Sequence, residues 1–116
     1  MANQISSFGK ADLMTYMSTN WSYIELYDET DTPVLRIPTS DARVTVQYPD
    51  PNGQVRMRLE LKGDDVDVAA LKPFKVKGSS IFKVATGGNP MASKNLSAIF
   101  NMQTDEDMLV VNHRIF

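Results

Sequence analysis

The sequence contains no cysteine and a single histidine, and these two shortages exclude several kinds of chemistry. Without cysteine the chain has no disulfide, thiolate zinc site, iron–sulfur cluster or cysteine nucleophile. One histidine excludes a metal site built from several histidines of the same chain. We therefore expect no metal site, no catalytic residues and no cofactor or cofactor-binding residues.

Neither charge sign is in large excess, because 12 basic residues stand against 14 acidic ones and the formal net charge is −2. Proteins that wrap nucleic acid or bind anionic lipid usually carry a positive surplus, so we expect neither partner. No stretch approaches the roughly 18 uninterrupted apolar residues of a membrane-spanning helix. The first 20 residues also lack the apolar core of a secretory signal, so we expect synthesis in the cytosol.

The remaining composition is typical of one soluble domain. The chain has 116 residues, of which 42% are hydrophobic and 22% charged, and this length and balance favour a single folded core. The hydrophobic pattern divides the chain in two. We expect an N-terminal arm or short helix in residues 1–20 and a single β domain in residues 21–116.

The N-terminal part contains the only helical pattern, over residues 6–19, with Ser7 as a possible N-cap. A helix this short is marginal in isolation and must dock on something. Two roles remain open at this point. The helix closes one end of the core, or it is an arm that docks on a neighbouring subunit.

From Trp21 onward the pattern has a period of two, which is typical of β-strands. The clearest strand has a wholly apolar face and a wholly charged face, so it predicts an antiparallel sheet with one wet side. We expect the first set to be buried and the second exposed: Val55, Met57, Leu59 and Leu61 against Arg56, Arg58, Glu60 and Lys62.

Turn signals separate the strands. The run 49–53 ends in Asn52-Gly53 and predicts a hairpin. Further turns are predicted at 63–65 and 78–80, and Pro73 favours a strand or an extended crossing over residues 66–71. The result is about eight or nine short strands, which predicts an all-β fold. The candidates are an antiparallel β-sandwich, a jelly roll or a small barrel.

The polar clusters are interpreted as structural. His113 has no recognisable nucleophile or carboxylate motif, so we expect a solvent-facing strand histidine. Three acidic clusters coincide with turns, where Asp favours local hydrogen bonds, and none has the spacing of a calcium-binding loop. A structural cation stays open as an alternative. The clusters are Asp28-Glu29-Thr30-Asp31, Asp64 with Asp65 and Asp67, and Asp105-Glu106-Asp107.

The one basic stretch contains Lys72, Lys75, Lys77 and Lys83. Phe74 and Phe82 alternate with these lysines and are predicted to point into the core, which disfavours a stacking surface for single-stranded nucleic acid. Lysines on edge strands also prevent unwanted pairing. Gly87-Gly88 lacks the lysine and Ser/Thr of a phosphate loop. We therefore expect a protein that is not an enzyme.

Both ends of the chain carry large apolar side chains, which chain ends usually lack. Methionine adapts well to irregular partner surfaces. We expect at least one terminus to contact another subunit, and the predicted contact residues are Ile5, Phe8, Leu13, Met14, Met17, Ile115 and Phe116.

Three features of the chain suggest a known class of protein: the short N-terminal segment before a cysteine-free β body, the segment 85–90, and residues 102–107 before a terminal strand. With these features the chain resembles small structural proteins of tailed-phage virions, most of all the decoration or cement proteins of capsid shells. The resemblance implies a jelly-roll or related body that binds at symmetry axes of the shell, often as a dimer or trimer.

The resemblance also implies a partner, a place and a role. The partner is the major capsid protein or another virion subunit, the place is the virion, and the role is to stabilise the shell as a homo-oligomer. Small tail or head–tail joining proteins have the same style and are the first alternative. A small-ligand or carbohydrate-binding β module is the second.

Overall fold

The computed structural model describes residues 4–49 and 53–115. In this part of the chain one long helix precedes seven strands, and a single helical turn interrupts them. The elements in chain order are α1 (Ser7–Asn20), β1 (Tyr23–Tyr27), β2 (Pro33–Pro38), β3 (Val44–Gln47), β4 (Val55–Lys62), α2 (Val66–Ala69), β5 (Phe74–Phe82), β6 (Ala92–Met102) and β7 (Met108–Ile115).

The strands form two antiparallel sheets. Sheet A has the order β2-β1-β5-β6 and sheet B has the order β3-β4-β7. Residues from both sheets meet in one hydrophobic cluster, in which Ile24, Leu26 and Ile81 of sheet A accompany Met57 and Leu59 of sheet B. The predicted β-sandwich with a short N-terminal helix is therefore confirmed. Among the described residues no helix is long and apolar enough to cross a membrane.

Strand β4 follows its sequence pattern on one face and departs from it on the other. Its four apolar side chains are completely buried, as predicted. Only Lys62 on the charged face is exposed, whereas Arg56, Arg58 and Glu60 are half-buried. The reason is that β4 lies between β3 and β7, so long side chains lie across their neighbours, and Arg58 pairs with Glu60 at 3.0 Å.

The predicted hairpin joins β3 to β4. Val44 pairs with Leu59 and Gln47 pairs with Arg56 in an antiparallel register, which confirms the connection. Gly53 has φ +74°, the left-handed conformation that an Asn-Gly pair in a hairpin predicts. Residues 50–52 of the turn lie outside the described residues.

The predicted turn at 78–80 is wrong, because β5 passes through it without interruption. Gly78 lies beneath the ring of Tyr27 and beside the Lys94 carbonyl, where a Cβ atom would collide with both. Ser79 and Ser80 are buried, and each hydroxyl has a hydrogen-bond partner. Small and polar residues therefore serve close packing here and do not form a turn.

The count of about eight or nine strands is also too high, since the described residues form seven. The two strands expected on either side of 78–80 are one strand, which ends at Phe82. The extended crossing predicted over 66–71 is wrong at its start, because α2 forms there. Pro73 lies after the end of this helical turn, so it does not prevent the turn from forming. Val68 on the turn is fully buried.

Helix α1 is confirmed within one residue of its predicted bounds. Its N-cap is Ser6, which accepts a hydrogen bond from the Gly9 N–H at 3.1 Å, in place of the predicted Ser7. Met14 and Met17 belong to the hydrophobic core, so the helix closes one end of the sandwich. The Tyr48 hydroxyl fixes it further by donating to the Ala11 carbonyl at 2.8 Å.

Candidate partner-contact surface

The predicted contact residues occupy two different environments. Met14 and Met17 pack into the core of this chain, with 8% and 5% of their surface exposed. Ile5, Phe8 and Leu13 face solvent, and Phe8 is 86% exposed. At the other end of the chain, Ile115 is half-buried against the core. Phe116 lies outside the described residues.

Tyr16 joins the exposed residues of the helix, although the predicted contact set omitted it. Its side chain is 47% exposed, and its hydroxyl accepts a hydrogen bond from the Lys83 ammonium at 2.8 Å. It follows Leu13 by three residues, a spacing that places two side chains on neighbouring parts of a helix surface. We call Ile5, Phe8, Leu13 and Tyr16 the N-terminal apolar surface.

This surface is unusual because α1 is apolar on two sides. A helix that merely covers a core usually has polar residues opposite its packed face. Here the packed side contains Met14 and Met17, while Phe8, Leu13 and Tyr16 are exposed. Contiguous exposed apolar patches are typical of contact sites, whereas single exposed apolar side chains are common on any protein surface.

The N-terminal apolar surface is held in place by the body of the protein. Tyr48 of the β3–β4 hairpin bonds the helix backbone, and Lys83 after β5 bonds Tyr16. The loop after β5 is itself fixed, because Arg36 donates to the carbonyls of Val84 and Gly87 at 3.0 and 2.9 Å. A surface ordered before binding loses less conformational entropy when a partner docks.

His113 is buried, so the prediction of a solvent-facing histidine is wrong. It is 4% exposed, and its Nε2 lies 2.9 Å from the Ser79 hydroxyl of the opposite sheet. Burial lowers the pKa of His113 to about 4, and the positive charge of Lys94 acts in the same direction. The ring is therefore neutral at physiological pH and forms a polar link between the two sheets.

The His113–Ser79 pair does not have the arrangement of a nucleophile and its base. Ser79 is fully buried, whereas a nucleophile must be reached by substrate. Within residues 4–49 and 53–115, no carboxylate is hydrogen-bonded to the imidazole to orient it. Oriented bases of this kind use a third group.

A groove of about 520 Å³ runs between β6 and β7 beside this pair. Lys94 crosses it and donates to the Asn112 carbonyl at 2.8 Å, so one backbone acceptor on the open edge of β7 is already occupied. The groove contains no Phe, Tyr or Trp. The residues that line it are Ala92, Ser93, Lys94, Asn112, His113, Arg114 and Ile115.

The acidic cluster near α2 is an ion-pair network centred on Arg43. The guanidinium lies 2.7 Å from Asp67, 2.9 Å from Asp41 and 3.4 Å from Asp65. Arg43 lowers the pKa of Asp41 to about 2 and also lowers the pKa of Asp67. Asp65 and Asp67 are therefore paired and are not simply solvated, while Asp64 is exposed.

The other two acidic clusters have the predicted turn role. Asp28 accepts hydrogen bonds from the backbone N–H groups of Thr30 and Thr32, both at 2.9 Å. Asp107 accepts from those of Gln103 and Thr104, both at 2.8 Å. The pKa of Asp28 is lowered mainly by the Thr30 hydroxyl, which donates to it at 2.7 Å, and then by these backbone bonds. The pKa of Asp107 is lowered mainly by its two backbone bonds. In the described part of the chain no His, Asp and Glu side chains are grouped to hold a metal ion.

Three of the four lysines in the basic stretch have partners. Lys72 pairs with Asp105, Lys77 pairs with Asp31 at 2.9 Å, and Lys83 bonds Tyr16 as described. Phe74 packs partly against the core. Phe82 is buried beneath Arg36, whose guanidinium lies 3.7 Å from the ring centroid.

The fold is a small two-sheet β-sandwich, and its docked N-terminal helix carries exposed apolar side chains. Comparisons of the chain with protein-family models, with curated proteins and with solved structures found no match.

Proposed function

We propose that this chain is a non-enzymatic structural protein of a phage virion, which binds and stabilises the capsid shell as a decoration protein. The observation that carries the proposal is the N-terminal apolar surface, on which Phe8 is 86% exposed although the helix beneath it is fixed to the core. The resemblance in the sequence supplies the kind of partner, which is the major capsid protein.

The expected role is thermodynamic. A protein that binds the assembled shell and not its separated subunits stabilises the shell by mass action. A small rigid body with preformed apolar anchors suits this role, because few residues usually supply most of the energy of an interface. The protein is made in the host cytosol and acts in the virion as a homo-oligomer on the shell, without nucleic acid or membrane as a partner.

The absence of catalysis is part of the same proposal. Its support is the burial of Ser79 and the use of the acidic clusters in turns and ion pairs. A tail or head–tail joining protein is the alternative, since the same apolar surface suits any virion subunit. A ligand-binding module is less favoured because the three largest grooves formed by the described residues have at most one Phe, Tyr or Trp each in their lining, Phe74 or Phe100, and both of these pack partly against the core.

Co-sedimentation with intact shells of the virus that encodes the chain tests the proposal. The informative variants are Phe8→Ser and Leu13→Ser, which change exposed side chains and leave Met14 and Met17 in the core. Ile99→Ser is the matched control, because Ile99 is 49% exposed on β6, away from α1. A truncation of the helix is less useful, since it also opens the core.

We expect the wild type and Ile99→Ser to sediment with shells and to raise the temperature at which shells break. The two helix variants are expected to remain folded and to lose most of the binding. Failure of the wild type to bind shells contradicts the decoration role, and binding to isolated tails or connectors favours the alternative.

A further inference from the structure

The outward face of sheet B concentrates arginine. Arg56 on β4 and Arg114 on β7 are directly opposite each other in the ladder, and Arg58 is opposite Asn112 on the same face. Cross-strand neighbours of this kind have Cβ atoms about 5 Å apart. We call Arg56, Arg58 and Arg114 the arginine face.

The described residues neutralise only one of the three arginines of this face. Arg58 pairs with Glu60 at 3.0 Å. Arg56 donates to the neutral amide oxygen of Asn112 at 3.3 Å, and within residues 4–49 and 53–115 neither Arg56 nor Arg114 forms an ion pair. Like charges directly opposite each other destabilise a sheet, so an anion from outside would stabilise this arrangement.

Other arginines of the chain are well paired, which makes the contrast informative. Arg36 bonds Glu25 at 2.8 Å and two backbone carbonyls. Arg43 bonds three carboxylates. The chain has an acidic balance overall, so the positive excess of the arginine face is local.

The complementary charge lies at one end of the same molecule. Glu29, Asp64 and Glu106 are exposed, and they form no ion pair with any residue of the described ranges. Their turns share one end of the sandwich, since Gly63 bonds the carbonyl of Asp107 at 2.8 Å and Glu29 shares a groove with Gln103 and Lys75. We call these three residues the acidic end.

One copy cannot bring the two regions together. Arg56 and Arg58 precede Lys62, the last residue of β4, by six and four positions. At about 3.3 Å per residue these spacings are roughly 20 Å and roughly 13 Å of strand. The two regions are thus separated along the strands, and a second copy is needed to join them.

We propose that the arginine face binds the acidic end of a second copy of this chain in a head-to-tail contact. Guanidinium groups bind carboxylates in a planar, two-bonded geometry. A small groove of about 190 Å³ lies between Arg56, Arg58, Thr45 and Gln47, and its size suits a single acidic side chain. It has no aromatic residue in its lining on which a nucleic-acid base would stack.

Such a contact joins two different surfaces, so it generates a ring or a chain of copies and not a closed two-fold dimer. It uses sheet B and is separate from the N-terminal apolar surface. It therefore does not depend on the shell-binding role, and the two proposals can fail independently.

Sedimentation velocity of the purified protein over a concentration series tests the contact at low and high salt. We expect concentration-dependent association in about 20 mM salt that weakens in about 500 mM salt, because exposed charges are screened over shorter distances at high ionic strength. The double variant Arg56→Gln, Arg114→Gln should raise the dissociation constant of the contact about tenfold, because each lost ion pair at the surface weakens binding a few-fold. Lys10→Gln is the control, since Lys10 is an exposed lysine on α1.

A charge-exchange experiment distinguishes this contact from nonspecific association. Arg56→Glu with Arg114→Glu should abolish association, and mixing this variant with Asp64→Lys, Glu106→Lys protein should restore it. Arg114→Glu alone serves if the double variant does not fold, because Arg114 is exposed. A wild type that stays monomeric in low salt overturns the proposal. Association that the arginine variants leave unchanged, or that only an added polyanion produces, also overturns it.

Discussion

The buried imidazole of His113 makes the stability of the protein depend on pH in a defined window. An isolated histidine has a pKa of about 6.5, and burial lowers the pKa of His113 to about 4. The unfolded chain therefore binds a proton between these values that the folded chain does not bind. Since the unfolded state binds more protons, stability falls as pH decreases through this window.

The size of the effect follows from the shift. Each pKa unit corresponds to about 1.4 kcal/mol, so the full window costs roughly 3 kcal/mol of unfolding free energy. That is a large part of the about 5–15 kcal/mol available to a small domain. The loss begins near pH 6.5 and is complete near pH 4. The lowered carboxyl pKa values, of which Asp41 at about 2 is the clearest, stabilise the fold above pH 4 and are lost only at lower pH.

Urea unfolding at a series of pH values measures this dependence, and two variants isolate its cause. His113→Gln removes the titrating group while its amide still reaches towards the Ser79 hydroxyl, so the slope between pH 6.5 and pH 4 should disappear. Ser79→Ala leaves the histidine but removes its partner, so the whole curve should drop by about 1–3 kcal/mol with the slope retained. A wild-type slope that is absent, or that His113→Gln preserves, refutes the reasoning.

Two further predictions concern stability. Leu59→Ala should lower the unfolding free energy by about 2–5 kcal/mol, because it opens a cavity at a fully buried site. Lys62→Ala on the exposed side should change the unfolding free energy by less than about 0.5 kcal/mol. Equal effects of the two variants in chemical denaturation would contradict the assigned faces of β4. Arg43→Met should cost about 1–3 kcal/mol, since it leaves Asp41 and Asp67 without their partner, and should flatten the acid unfolding curve below pH 4. An unchanged acid limb would show that the network does not contribute.

The alternation of β4 was sufficient to predict its buried face, because strict period-two patterning assigns every side chain to one side of a sheet. The same rule contained the signal for His113. Leu109 and Val111 are buried on β7, and His113 continues their odd-numbered series. A polar residue in such a series favours a solvent-facing position from sequence alone, but a single hydrogen-bond partner across the sandwich is enough to satisfy it when buried.

Other features depend on contacts that sequence patterns do not contain. Gly78-Ser79-Ser80 has the composition of a turn, and only the position of Tyr27 above Gly78 explains why the strand continues. Arg43 meets Asp65 and Asp67 from more than 20 positions away. In α1 the apolar residues surround the helix, so the sequence could not decide which of them the sheets would cover.

The open edges of the sandwich bear on how this protein associates. An unpaired edge invites strand addition, and proteins block it with lysine or with irregular pairing. Lys94 occupies a backbone acceptor on β7, and the register between β5 and β6 shifts between Val76 and Gly78, which makes β6 a poor template. Association through extended strands is therefore disfavoured on this side. The two contacts proposed above, through the N-terminal apolar surface and through the arginine face, use side chains and not strand edges. Two independent contacts on one rigid body give stronger binding to an ordered array than either gives alone.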